Sequence, residues 1–87
     1  MFYVYVLKSL VNNSYYIGCT KDINLRLQKH NNGDVRSTRK FRPWMLLGVR
    51  VYERRNEARW REHELKEHGA KRKRLIKSLE ESIKQIA

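Results

Sequence analysis

The alternation of hydrophobic and polar segments along this chain predicts three strands. Phe2 to Leu7 is aromatic and β-branched on both faces, which is typical of a strand buried on two sides. Val11 to Ser14 supplies turn residues before Tyr15 to Gly18 resumes an extended pattern, so these strands are predicted to form a β-hairpin. After Pro43, the apolar run from Trp44 to Tyr52 predicts the third strand.

The first predicted helix lies between the second and third strands. Asp22 is a candidate N-cap, Ile23 and Leu27 lie four apart as an apolar side, and Asn31-Asn32-Gly33 is a candidate end. The polar and basic stretch from Asp34 to Arg42 then predicts a mobile surface loop.

Two further helices are predicted after the third strand. Asn56 is a candidate cap for the first, and Gly69 is expected to end it through a positive φ. The last helix carries an apolar stripe of Leu75, Leu79, Ile83 and Ile86. The order β-β-α-β-α-α predicts an α+β fold, a three-stranded antiparallel sheet flanked by helices, and a length of 87 residues favours one domain over residues 1–87.

Net charge changes this picture by implying a polyanionic partner. Twenty Lys and Arg against nine Asp and Glu give a formal charge of +11, which favours nucleic acid, either DNA or RNA. A generic basic protein, kept soluble by its charge, is the alternative. Cys19 is the single cysteine, which suits a reducing compartment, and the pattern predicts neither a signal peptide nor a membrane span, so a cytoplasmic location is expected.

Phenol, guanidinium and imidazole groups gather within the first thirty residues. Tyr5 and Tyr16 lie on the two strands of the predicted hairpin, where their side chains could converge, although ordinary core tyrosines would give the same pattern. Arg26 and His30 lie four apart on one helix face. Arg26 could hold a phosphate and His30, titrating near neutrality, could move a proton; both could also be plain solvent-facing residues.

Glu62 interrupts an apolar stripe. It lies between Ala58 and Leu65 at positions where the helical period predicts core-facing residues, and an unpaired buried carboxylate is costly. A magnesium ion held by one carboxylate, waters and phosphate oxygens would explain it. A buried salt bridge to Arg26 or another base is the alternative.

These residues together resemble the GIY-YIG nuclease family, in particular its small stand-alone bacterial members and the N-terminal nuclease module of the repair protein UvrC. The resemblance covers most of the chain. It rests on Tyr3-Val4-Tyr5, Tyr16-Ile17-Gly18, Arg26-Leu27 with His30, and Glu57-Ala58 with Glu62. The sequence departs from the family pattern at three points. Tyr3 replaces the name-giving Gly, and Cys19 replaces a Lys. The late active-site Asn of larger members is missing, since no Asn follows Asn56.

The resemblance implies a metal-dependent phosphodiesterase that cuts one DNA strand by in-line attack of water, in repair or recombination. Tyr16 would be the general base or water-orienting phenol, with Tyr5 beside it and the two roles exchangeable. His30 would stand where repair-type members place another Tyr, and Arg26 would neutralise the phosphate. Glu62 would anchor one Mg²⁺ or Mn²⁺ ion.

Nucleic-acid binding is expected from basic side chains outside this cluster. Lys21 lies near the second motif. The loop carries Arg36, Arg39, Lys40 and Arg42. The last helix begins with Lys71, Arg72, Lys73 and Arg74, although this second group could be a solvated helix end. A non-catalytic nucleic-acid-binding protein that keeps the fold is the main alternative function. A protein adaptor presenting Trp44 or Trp60 is the third.

Overall fold

Three strands and three α-helices form in the predicted order. A computed structural model of the protein describes residues 1–86, with side chains through Lys84. The predicted α+β class and the order β-β-α-β-α-α are confirmed. The elements are β1 (Phe2–Ser9), β2 (Tyr15–Thr20), α1 (Ile23–Asn32), β3 (Trp44–Tyr52), α2 (Arg55–Glu67) and α3 (Gly69–Ile86).

The sheet is antiparallel throughout and has the order β2-β1-β3. The central position of β1 explains its sequence, because Val4, Tyr5, Val6 and Leu7 are all buried by layers on both faces. The hairpin to β2 turns through Asn13, whose φ of 61° is a left-handed angle that Asn tolerates well. The predicted hairpin is therefore confirmed.

Helices cover both faces of the sheet. Tyr5, Leu7 and Trp44 form a core cluster on one face, against which Ile23 and Leu27 of α1 pack. The larger cluster on the other face joins the sheet to α2 and α3 and contains Val4, Val6, Ile17, Leu47, Ala58, Leu65, Leu75 and Leu79. The side chain of Ile86, predicted for this stripe, lies outside the described part of the chain. Within residues 1–86, no helix has both the length and the hydrophobicity needed to cross a bilayer.

The ends of α1 are as predicted. Asp22 accepts a hydrogen bond from the backbone N–H of Leu25 at the start of the helix. Gly33 ends the helix with a φ of 85°, a left-handed angle in which a side chain would be strained. His30 is thereby fixed in the last turn.

Two predicted helix signals in the second half are wrong. Asn56 lies inside α2, where its Oδ1 accepts from the N–H of Glu57, and the N-cap position belongs to Arg54 without a side-chain cap. Gly69 is the first residue of α3 and, in the part of the chain described, Gly33 is the glycine with a positive φ. His68 ends α2 in an extended conformation, so the chain turns there without the left-handed glycine.

The stretch from Asp34 to Arg42 is more ordered than the prediction of a mobile loop. It contains a short 3-10 helix, Arg39–Phe41, and the side chain of Thr38 is only 1% exposed. Ser9 Oγ donates to the carbonyl of Phe41 over 2.7 Å, and the indole N–H of Trp44 donates to the carbonyl of Thr38 over 2.8 Å. These bonds tie the loop to β1 and β3.

Candidate active site

Tyr5 lies at the centre of the predicted site. It is 2% exposed, and its strand partner across the hairpin is Gly18. A Cβ atom at position 18 would collide with the Tyr5 hydroxyl, so the glycine provides the space through which the phenol crosses β2. Gly18 of the second motif therefore makes room for the side chain of Tyr5 from the first motif.

A buried chain of hydrogen bonds continues from the Tyr5 hydroxyl into the loop. Tyr5 Oη lies 2.9 Å from His30 Nε2, and His30 Nδ1 lies 2.7 Å from Thr38 Oγ1. Thr38 Oγ1 in turn lies 3.4 Å from the carbonyl of Val35. The imidazole of His30 is 0% exposed, so protein groups must satisfy both of its nitrogens.

Arg26 determines which group donates and which accepts in each hydrogen bond of this chain. Its Nε donates to Tyr5 Oη over 3.2 Å, and a guanidinium can only donate. With one lone pair engaged, the Tyr5 O–H can satisfy its own proton by donating to His30 Nε2. A neutral His30 then donates from Nδ1 to Thr38, and the hydroxyl of Thr38 turns toward the Val35 carbonyl.

The pKa values of these groups agree with these donor and acceptor roles. Burial raises the pKa of Tyr5 to about 12, so the phenol keeps its proton at neutral pH. Burial, reinforced by the positive charge of Arg26, lowers the pKa of His30 to about 4. The expectation that His30 titrates near neutrality is therefore wrong, because the helix face that carries it is turned into the protein and away from water.

Tyr16 is the phenol of the pair that reaches the surface. Its ring centroid lies 6.3 Å from that of Tyr5 and 5.0 Å from that of His30, and the side chain is half-buried. Lys66 Nζ lies 5.8 Å from the centroid of the same ring. Tyr16 is on the edge strand β2 and lines a solvent-open cleft, so it is the more exposed of the two tyrosines.

Arg26 is the second accessible group of the cluster. It is half-buried, and its hydrogen bond to Tyr5 raises the pKa of the guanidinium, with a smaller contribution from Tyr16. Its hydrogen bond to Tyr5 is made through Nε, and the Tyr16 phenol lies beside the guanidinium, so the terminal Nη groups can meet an oxyanion next to Tyr16. The structure thus brings Tyr5, Tyr16, Arg26 and His30 into one cluster.

Glu62 lies beside this cluster on α2. Its side chain is 23% exposed and pairs with Lys66 over 3.2 Å, whereas Ala58 and Leu65 are fully buried. The expected core-facing position is therefore wrong, because the stripe turns toward the edge of β2 at this residue. Its negative charge makes a small contribution to the raised pKa of Tyr5, whose main cause is burial.

Glu62 offers a hydrated divalent cation one carboxylate, in a cleft that the cations Lys21, Arg55 and Arg59 also line. The carboxylate borders a solvent-open cleft of about 250 Å³, where water and a phosphate oxygen could complete a coordination shell. Within the described residues, no three His, Cys, Asp or Glu side chains are grouped as a protein-only metal site. The donor set fits a magnesium-type ion that retains much of its water and does not fit a closed structural zinc site.

The predicted nucleic-acid-binding residues lie in separate places. Arg36, Arg39, Lys40 and Arg42 are all exposed on the loop, and Lys21 lines the cleft of Glu62. The four cations of α3 diverge: Arg72 lines a cleft with Tyr16 and Lys66, whereas Lys71 and Arg74 line another with Arg50 and Arg61. Lys73 is exposed. The α3 run is therefore not one binding face.

Sequence reasoning missed four residues that surround the site. Thr38 carries no signal of its own, because its importance comes from a contact with His30 formed only in three dimensions. Arg55, Arg59 and Lys66 did carry one: together with Glu62 they recur at helical spacing along one side of α2. A helical projection of α2 would have placed these cations beside the carboxylate.

Comparison with known proteins agrees with this fold. Residues 1–75 match the family model described as the GIY-YIG catalytic domain. Because that match covers most of the chain, the protein belongs to the GIY-YIG family, a family of nucleases.

Similar proteins within that family carry the name UPF0213. Those of Staphylococcus aureus strains Mu3 and N315 are each 40% identical over 77 residues, covering 86% of this chain and 93% of the relative. The solution NMR structure of a UPF0213 protein from Bacillus halodurans is 32% identical, with a TM-score of 0.56 over 91% of this chain and 85% of that one. The chain thus resembles small stand-alone members of the family.

Proposed function

We propose that the protein is a metal-dependent endonuclease that hydrolyses a phosphodiester bond in DNA, with a preference for nicked, forked or flapped structures. The observation that carries the proposal is the buried chain from Arg26 through Tyr5 and His30 to Thr38. In this chain, the side chains of Tyr5, His30 and Thr38 hold the guanidinium of Arg26 in place. Arg26 and Tyr16 remain accessible beside them. Such an arrangement is costly for stability alone and suits a site that must hold charge in one geometry.

Arg26 binds the scissile phosphate in this proposal. Its Nε is held by Tyr5, which leaves the two Nη groups to contact phosphate oxygens. As negative charge builds on the phosphoryl oxygens during in-line attack, the fixed guanidinium stabilises it without having to reorganise.

Tyr16 orients the attacking water, and the water loses its proton to the phenol oxygen as the phenol passes its own proton to solvent. The burial of Tyr5 and its pKa of about 12 support giving this role to Tyr16 and not to its neighbour. Tyr5 and His30 are positioning residues: His30 accepts from Tyr5, and Tyr5 accepts from Arg26.

Glu62 holds the divalent cation, Mg²⁺ or Mn²⁺. When bound, the ion supplies positive charge that stabilises the leaving 3′ oxygen. Lys66 pairs with Glu62 and also lies near the Tyr16 ring, so it can release the carboxylate by turning to a phosphate of the incoming strand.

A cleavage screen tests the proposal. Wild-type protein is incubated with nicked, forked and flapped duplexes in Mg²⁺ or Mn²⁺, and cleavage is expected on at least one of them. Tyr16→Phe keeps the ring but removes the hydroxyl, so its single-turnover rate is expected to fall by about 10²-fold or more while DNA binding is retained. Failure of the wild type to cut any substrate in either metal would contradict the proposal.

A second candidate is a non-catalytic nucleic-acid-binding protein acting on DNA or RNA. The net charge of +11 and the exposed cations at Arg36, Arg39, Lys40 and Arg42 favour binding without requiring turnover. Its signature would be a steep salt dependence of affinity with no cleavage in either metal.

A further inference from the structure

One side of α2 carries a row of four charges, of which the proposed mechanism uses Glu62 and Lys66 but not the two arginines. Arg55, Arg59, Glu62 and Lys66 follow the spacing i, i+4, i+7 and i+11, which places them along one stripe of the helix. With a rise of about 1.5 Å per residue, the stripe extends for ~16 Å. Two cations thus precede the carboxylate along the helix and one follows it.

The cations on the N-terminal side of Glu62 line the same cleft as that carboxylate. Arg55 and Arg59 contribute from α2 and Lys21 from the end of β2, and Phe2 of β1 forms part of the wall. Cys19 also borders the cleft, where burial raises the pKa of its thiol. The thiol therefore stays neutral at pH 7 and adds no negative charge.

Phe2 holds two of these cations in place. Lys21 Nζ lies 5.4 Å from the centroid of the Phe2 ring, and the guanidinium carbon of Arg55 lies 5.5 Å from it. Both distances are within the range of cation–π attraction, which brings two like charges to one ring despite their mutual repulsion.

These cations are not used to neutralise acidic side chains. Among the residues described, the ion pairs involve Lys8, Arg61, Lys66 and Lys71, whereas Lys21, Arg55 and Arg59 pair with no carboxylate. Glu62 itself pairs with Lys66 and not with either arginine in its own cleft. Three concentrated positive charges beside one carboxylate leave the cleft with an excess of positive charge, which an external anion would balance.

We propose that the cleft formed by Phe2, Lys21, Arg55 and Arg59 binds the DNA backbone phosphate adjacent to the scissile one. The inference rests on the proposed function, since it takes the position of the scissile phosphate from Arg26 and Glu62. A strand bound there presents its next phosphate on one side of Glu62. A nucleic-acid strand is the occupant that fits, because it carries anions at a regular spacing along one chain.

Salt-dependent binding tests this site without requiring catalysis. Binding of a forked duplex is measured by fluorescence anisotropy over a range of salt, in the absence of divalent ions. The Arg55→Ala/Arg59→Ala double variant is compared with the Lys29→Ala/Lys77→Ala double variant, which loses the same charge from exposed positions on α1 and α3. Circular dichroism establishes that both variants are folded.

The expected result is a loss of affinity of about tenfold for the arginine variant and less than threefold for the control. The slope of log K against log salt should also fall in magnitude by about 0.9 for the one phosphate contact that is lost. Equal affinities and slopes for the two double variants would overturn the proposal.

A scan of single neutral methylphosphonate linkages then locates the contact. At the linkage next to the mapped cleavage position, the substitution should weaken wild-type binding and have no further effect on the arginine variant. Additive losses at every linkage would overturn the assignment to one adjacent phosphate. If the wild type binds but never cuts, the proposed function fails, whereas the comparison of the two double variants still decides whether the cleft binds phosphate.

Discussion

Replacing Thr38 by Val tests the buried hydrogen-bond chain with a small change of shape. Thr38 is 1% exposed, and its Oγ1 lies 2.7 Å from Nδ1 of the fully buried His30. Valine keeps the branched shape but removes the acceptor, so the His30 N–H is left without a partner. A buried donor left unsatisfied costs about 1–3 kcal/mol, which in a domain of this size lowers Tm by about 4–8 °C for each kcal/mol.

Urea unfolding and thermal melts measure the loss, with Thr38→Ser as the matched control. Serine retains the hydroxyl and loses one methyl group, which by burial alone costs ~0.8 kcal/mol. The free energy of unfolding is therefore expected to fall more for Val than for Ser. The ¹⁵N chemical shifts of the His30 ring report the tautomer directly. They should show Nδ1–H in the wild type and in Thr38→Ser, and a mixture of tautomers in Thr38→Val.

Measurements of activity distinguish a positioning role of Thr38 from a purely structural one. If Thr38 positions Tyr5 and Arg26 through His30, the Val variant should lose kcat while folded and at full DNA occupancy, and the Ser variant should retain most of it. A Thr38→Val protein with wild-type stability and an unchanged His30 tautomer would refute the reasoning about this chain.

Three further variants or conditions probe the same site. Gly18→Ala is expected to destabilise the fold by about 1–3 kcal/mol, because the new Cβ meets the Tyr5 hydroxyl; Gly69→Ala, where the nearest atom is 3.6 Å away on a flexible side chain, is the control and should be neutral in a urea melt. The pKa of His30 in the folded protein is about 4, below its ordinary value, so the unfolded chain binds a proton more readily than the folded one. The contribution of neutral His30 to the free energy of unfolding is therefore complete above about pH 6.5 and is lost as the pH falls toward 4. The free energy of unfolding should drop by up to ~1.4 kcal/mol per pH unit in that window, and a flat profile would contradict the neutral assignment. Arg26→Lys keeps the charge but not the fork that spans Tyr5 and a phosphate, so kcat is expected to fall by about tenfold or more at unchanged stability; wild-type kcat would exclude the bidentate role.

The order of strands and helices could be predicted from the sequence because the local signals were mutually consistent. The doubly apolar Phe2 to Leu7 run became the central strand, and Asp22 and Gly33 bound α1 as their chemistry requires. The helix signals failed at Asn56 and Gly69, where tertiary packing sets the boundaries and neither residue is needed for a cap.

Parts of the site could be predicted for a different reason. The identities of Tyr5, Tyr16, Arg26 and His30 were suggested by motif spacing, and the fold does bring them together. The burial of each of these side chains could not be predicted from motif spacing. The spacing of Arg26 and His30 puts them on one helix face, but only the packing of α1 against the sheet shows that His30 is enclosed and Arg26 remains open to solvent.

Glu62 was chosen as a candidate site residue on a premise that the structure contradicts. The helical period placed it in the core, where a carboxylate would need an explanation. In the structure it is partly exposed at the edge of β2 and paired with Lys66, and its interest comes from the cleft that it borders and from its effect on the pKa of Tyr5.

Metal-dependent cleavage by matched carboxylate variants tests the central claim most directly. Single-turnover cleavage of a labelled forked duplex is followed while Mn²⁺ is titrated, for the wild type, Glu62→Gln and Glu57→Gln, the last being an exposed acid on the same helix. We predict metal-dependent cutting by the wild type and by Glu57→Gln, and loss of cutting by Glu62→Gln with DNA binding intact. Cleavage by Glu62→Gln at the wild-type rate and metal dependence would contradict the assignment of this cluster as a nuclease site.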